Sequence, residues 1–226
     1  MSRIKHLLLS LLFVPALALL TVGLLVPARR ARSAPREVRL SVTEQRKLNT
    51  FFSNFSEARV EPFKRGGPSN KALIRFCLWH HGLNATGRIE MNKDYSKWRL
   101  AARHVDETAL KFFGRRVAHH EAPDAQFPYR SGYYYNMLFG EGDPVPFSQL
   151  GKLYAVGGNE YRAEVNVFEP PSGAWDGDVH AAPSSWLDWE GMGPPKRTAR
   201  LRATIRKIMS GSNTRYILLE YQQSKR

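Results

Sequence analysis

From Pro195 to Tyr221 the side chains alternate with a period of two, and no other stretch limits the possible folds as strongly. Leu201, Ala203 and Ile205 alternate with Arg200, Arg202, Thr204 and Arg206, which gives a strand one apolar and one charged face. Gly211, Ser212 and Asn213 interrupt the pattern, and Arg215 to Tyr221 resume it. The spacing therefore predicts an antiparallel hairpin with a short polar loop. A two-stranded hairpin is not stable alone, so the chain upstream must supply the cover for its apolar face.

That cover begins at Ser41. Ser41-Val42-Thr43-Glu44 has the form of a capping box, and Leu48, Phe51, Phe52 and Phe55 recur on one face of the helix that it opens. Pro62, Gly66, Gly67 and Pro68 mark a loop, and Ser69 or Asn70 is placed to cap a second helix running from Ala72 through His80 to a stop at Gly82. Trp98, Leu100 and Ala102 read as a short strand. Asp106 is then placed to cap a third helix carrying Ala109, Leu110, Phe112 and Phe113 before Gly114. Tyr133 to Tyr135, the run from Leu150 to Val156, and Tyr161, Ala163, Val165 and Val167 read as further strands, while 115–130 and 170–195 read as loops. Strands that follow one another without crossover helices favour antiparallel pairing. The expected class is α+β, with two or three N-terminal helices packed on a curved antiparallel sheet of about five strands, closed by the C-terminal hairpin.

The first 34 residues have a different character. Arg3, Lys5 and His6 precede an apolar run from Leu7 to Val26, which matches a signal peptide and is also long enough for an N-terminal membrane anchor. Arg29, Arg30, Arg32, Arg36 and Arg39 follow it. The expected organisation is a leader over 1–34, a short basic linker over 35–40 and a single domain over 41–226. Such a protein is expected to be extracytoplasmic, secreted or held at the membrane by residues 7–26. A single cysteine, Cys77, excludes an intramolecular disulfide and any CxxC motif.

The net charge of +14 attracts polyanions. Lys196, Arg197, Arg200, Arg202 and Arg206 crowd the hairpin's first strand, and alternation aims Arg200, Arg202 and Arg206 from one face as a candidate anion-binding row. Trp175, Trp186 and Trp189, with the tyrosines at 133–135, are candidates for contact with sugar rings or peptides. His80, His81, His119, His120, Glu121, Asp176, Asp178 and His180 carry ligand-type atoms, but no HExxH spacing joins them, so no metal is expected. No nucleophile elbow or phosphate-cradling loop is present, and no cofactor is implied. The sequence thus points to a non-catalytic binding module of the cell envelope that uses its basic strand face. Its partner would be an anionic envelope polymer, lipid head groups or a membrane protein; nucleic acid is disfavoured by the leader. The alternative is a small extracytoplasmic hydrolase with a site near His119, His120, Glu121 and the Trp175 to Trp189 loops.

Overall fold

The structure, a computed structural model, describes residues 35–93, 97–137, 144–211 and 213–224. The leader expected over 1–34, including the anchor candidate 7–26, lies outside these residues. In chain order the elements are β1 (Arg36–Glu37), α1 (Val42–Glu57), α2 (Asn70–Asn84), β2 (Glu90–Asn92), β3 (Lys97–Ala101), α3 (Ala102–Phe113), β4 (Tyr129–Arg130), β5 (Tyr133–Tyr135), β6 (Phe147–Gly157), β7 (Glu160–Glu169), β8 (Lys196–Ser210) and β9 (Asn213–Gln223). Among the described residues no helix is long and apolar enough to cross a membrane.

Two antiparallel sheets result. One has the order β1-β6-β7-β8-β9 and the other β2-β3-β5-β4. The α+β class, the N-terminal helices and the five-stranded sheet ending in the β8–β9 hairpin agree with the sequence reading. The second sheet was not anticipated as a unit: β3 and β5 are legible as separate strands, but β2 and β4 are only three and two residues long and show too little periodicity to read. Part of the segment expected as linker is also structural: Arg36 and Glu37 pair with Ala155 and Tyr154 of β6.

Helix boundaries differ from expectation at two places. α2 continues through Gly82 to Asn84, and the Ala85 amide closes it on the His81 carbonyl at 3.3 Å. α3 starts at Ala102 rather than at a cap by Asp106, which lies inside the helix. The cause is local: the Ala102 amide still donates to the Gly132 carbonyl at 2.8 Å, so the chain leaves β3 and enters α3 without a turn. Gly114 ends α3 with a φ of 69°, and a Cβ there would lie 2.8 Å from Ile217 Cδ1 of β9. Only glycine fits both the left-handed backbone and the close approach.

α1 organises the core. Ser41 accepts the Glu44 amide at 3.2 Å, and Leu48, Phe51, Phe52 and Phe55 are all buried. Phe55 lies within 5.0–6.1 Å, centre to centre, of the rings of Phe51, Phe76, Phe112, Phe113 and Tyr221, so all three helices and β9 meet at this ring. Leu100, Phe127 and Tyr134 carry the core on to the four-stranded sheet.

A second stripe on α1 is polar and lies along β6. β1 pairs with β6 only at Tyr154 and Ala155, with one further bond from the Val38 amide to the Leu153 carbonyl, and this leaves the start of β6 without a strand on that edge. Side chains from α1 take its place. Asn49 Oδ1 accepts the Leu150 amide at 2.9 Å, Gln45 Nε2 donates to the Leu150 carbonyl at 2.8 Å, and Ser53 Oγ accepts the Ser148 amide at 2.9 Å. The Ser148 hydroxyl donates to Ser56 Oγ at 3.0 Å. Replacing Asn49 by Ala leaves the Leu150 amide buried without this acceptor, at a cost of about 1–3 kcal/mol. Asn49→Ala and Ser53→Ala are expected to lower the urea midpoint with an unchanged m-value. An unchanged midpoint would mean that these side chains do not hold the edge.

Candidate functional site

The basic row of β8 is exposed, but it is not uniformly basic. Arg200, Arg202 and Arg206 face solvent opposite the buried Leu201, Ala203 and Ile205. Pairing with β7 sets Arg206 beside Glu160, Arg202 beside Glu164 and Arg200 beside Asn166. Arg206 Nη2 donates to Glu160 Oε1 at 2.7 Å, and the same carboxylate also receives Arg65. Arg200 and Arg202 have no ion-pair partner among the described residues. Lys196 and Arg197 lie beyond a bulge between Val167 and Phe168, with Lys196 opposite Glu169. The five side chains thus fall into three settings: Arg206 is tied to Glu160, Arg200 and Arg202 stand on the outer strand face, and Lys196 and Arg197 lie past the bulge.

The tryptophans divide in a similar way. Phe147 and Phe168 pair across β6 and β7. Trp175 stacks on Phe147 at 5.6 Å, and Trp186 meets Phe147 edge-on at 5.4 Å and Phe168 at 4.9 Å. Gln149 Nε2 donates to the carbonyls of Val179 and Ala181, and Trp186 Nε1 to that of Asp178. Trp175 and Trp186 therefore fasten the 170–195 loop to the sheet while keeping partly exposed rings; Trp189 stands apart from the cluster.

The histidines do not converge. His119 meets Glu121 at 3.1 Å on the surface. His120 faces the other way, with Nδ1 2.9 Å from the Tyr134 hydroxyl and Nε2 3.4 Å from Asp106 Oδ2. Tyr134 is fully buried, and burial raises its pKa far above the physiological range, so this chain links the 115–128 loop to α3 and β5 without presenting a reactive end. Cys77 is buried too; burial and the charge of Asp106 push its thiol pKa up. No group of three potential metal ligands occurs among the described residues. His80 and His81 lie inside the helical layer, where His81 Nε2 is 2.9 Å from Thr108 Oγ1 and His80 Nδ1 has no hydrogen-bond partner among the described residues.

A groove of about 400 Å³ opens on the four-stranded sheet, lined by Asn92, Lys97, Arg99, Pro128, Arg130, Ser131, Tyr133 and Tyr135. Strand alternation builds it. Leu100 and Tyr134 turn into the core, which turns Arg99, Tyr133 and Tyr135 outward. Arg99 lies opposite Tyr135 in the ladder, and its guanidinium sits 4.0 Å from the centre of the Tyr133 ring. Glu90 on β2 steadies the same guanidinium, 3.2 Å from Nε. Lys97 and Arg130 leave the wall predominantly cationic. Ser131 and Gly132, at φ values of 46° and 83°, make the tight β4–β5 turn beside it. The tyrosines were singled out from sequence, whereas Lys97, Arg99 and Arg130 were not. The available signal was the two-residue spacing of Lys97 and Arg99 around Trp98.

No known family, curated protein or solved structure matches this chain.

The buried histidines set a pH dependence. Burial, aided by the charges of Lys111 and His81, lowers the His80 pKa from 6.5 to about 3, and burial lowers that of His81 as well. Below about pH 6.5 the unfolded chain takes up these protons more readily than the folded chain, in which His80 stays neutral down to about pH 3, so stability falls as pH falls through that window. The expected slope is about 1.4 kcal/mol per pH unit for each histidine held neutral. A His80→Leu variant, followed by urea unfolding between pH 7 and pH 4.5, should show a shallower acid decline than the wild type. Equal slopes would show that His80 is not held neutral.

Proposed function

We propose that this chain is a non-catalytic binding module, exported or held at the membrane by residues 7–26, and that it takes an anionic polymer of the cell envelope into the groove of its four-stranded sheet. The observation that carries the reading is Arg99, stacked on Tyr133 and held by Glu90, between Lys97 and Arg130. A sugar ring presents an apolar face for a tyrosine ring, and a carboxylate on that sugar matches the fork of a guanidinium. Glu90 and Tyr133 fix Arg99 before any ligand arrives, which lowers the ordering cost of binding. Arg200 and Arg202 supply additional positive charge on another surface, and neither lines the groove that holds Tyr133 and Tyr135. Binding fits this chain better than hydrolysis, because His119 and Glu121 pair with each other on the surface while His120 turns away to Tyr134 and Asp106, so the three do not converge on one reacting centre.

Titration with polygalacturonate as the acidic polysaccharide and dextran as the neutral one tests the proposal. The acidic polymer should bind, weaken as salt screens the contact, and lose at least about tenfold in affinity on Arg99→Ala, about 1.4 kcal/mol. Arg99→Lys keeps the charge but not the planar fork, and should recover only part of the loss. Equal binding of dextran, or an Arg99→Ala variant with wild-type affinity, would overturn it. Loss on paired charge reversal of Arg200 and Arg202 but not on Arg99→Ala would move the site to β8. Binding to anionic lipid vesicles in place of the polysaccharide would assign the surface to head groups.

A further inference from the structure

A smaller pocket of about 190 Å³ lies on another part of the molecule, lined by Arg65, Gly66, Gly67, Arg115 and Arg206 above a floor of Phe113, Leu218 and Leu219. We propose that it binds a doubly charged tetrahedral oxyanion, namely phosphate, either as the free ion or as a monoester. This site is independent of the groove on the four-stranded sheet.

The three guanidiniums come from distant parts of the chain, and each is positioned by a different contact. Arg206 and Arg65 share the Glu160 carboxylate, one on each oxygen, so β7 holds two cations side by side. Burial alone would raise the Glu160 pKa, but the hydrogen bonds from Arg206 and Arg65 outweigh it and the pKa is lowered, which keeps the carboxylate charged as their anchor. Arg115 is held from the other side, where Nη2 donates to the Pro68 carbonyl. Its Nε is buried against Gly67 and has no hydrogen-bond partner among the described residues.

The glycines make the approach possible. A Cβ on Gly67 would sit 3.2 Å from Arg115 Nη2 and 3.3 Å from Nε, and the backbone there has a φ of 88°. Gly66, at a φ of 118°, likewise adds no side chain to the opening. Three guanidiniums against one carboxylate leave two net positive charges, and a phosphate monoester carries about −1.5 to −2 at pH 7. Each arginine spends only part of its donor fork on Glu160 or Pro68, so donors remain for the ligand. The buried Phe113 and Leu218 at the floor exclude water on one side, and the volume limits the ligand to a small anion or the phosphate end of a larger molecule.

Isothermal titration of the full-length protein with inorganic phosphate and with glycerol 3-phosphate at pH 7.5 tests the proposal, with acetate as control. Phosphate or its monoester should bind with a Kd near or below about 1 mM, and the tighter of the two identifies the source. Arg206→Gln, at an exposed position, and Arg115→Gln should each weaken binding at least about tenfold, while polygalacturonate binding stays at the wild-type level. Because Arg115 also supports the Pro68 loop, thermal unfolding of both variants separates lost binding from lost fold, and Arg206→Gln alone remains decisive. Acetate binding as tightly as phosphate, no heat from either phosphate ligand at about 10 mM, or wild-type affinity in Arg206→Gln would overturn the proposal.

Discussion

The start of β6 has backbone groups that no strand receives, and a helix satisfies them. β1 is too short to run the length of β6, so the amides of Ser148 and Leu150 meet Ser53 and Asn49 of α1. A helix normally packs on a sheet through apolar side chains alone. Here α1 carries two stripes: one of phenylalanine, which fills the space under the sheet, and one of Gln45, Asn49, Ser53 and Ser56, which closes its edge. The polar stripe fixes where the helix lies along β6, and the phenylalanine stripe then brings Phe55 against Phe76, Phe112, Phe113 and Tyr221. An exposed edge at β6 would invite pairing with another chain; α1 removes that edge at the cost of burying several polar side chains, all of which are hydrogen-bonded.

The same frame sorts the excess positive charge. A chain with a net charge of +14 could spread its cations evenly, yet sheet register places many of them beside acids. Glu160 ties Arg65 and Arg206, Glu90 ties Arg99, and Glu169 lies opposite Lys196 and within 3.8 Å of Arg59. Exposed pairs of this kind add little stability. Their effect is positional, because a guanidinium held on one side still has donors free on the other. Where such an arginine also borders a concavity, as at Arg99 and at Arg206, a surface charge becomes part of a shaped site.

The large elements could be read from the chain because each repeats its own pattern over many residues. The Ser41 cap, the phenylalanine stripe of α1 and the alternation in β7 and β8 appear in the structure as read, although the Glu44 carboxylate receives the Tyr216 hydroxyl. The shortest elements could not. β2 and β4 span three and two residues, less than the repeat needed to tell a strand from a loop, and they exist because they pair with β3 and β5. The α3 boundary was misread for a related reason: Asp106 is a good cap in isolation, but the bond from Ala102 to Gly132 starts the helix earlier.

The sequence by itself determined the α+β class, the helices that cover the sheet, the terminal hairpin and the outward direction of Arg200, Arg202 and Arg206, since all of these follow from local periodicity. Tertiary structure alone decided which cations share a site. Arg99 with Tyr133 and Arg130, and Arg65 with Arg115 and Arg206, are separated by tens of residues and meet only through strand register and loop packing. No spacing rule along the chain encodes those distances. It also decided that Trp175 and Trp186 would fasten a loop to Phe147 and Phe168, because a ring becomes an anchor or a contact surface only according to what the fold places beneath it.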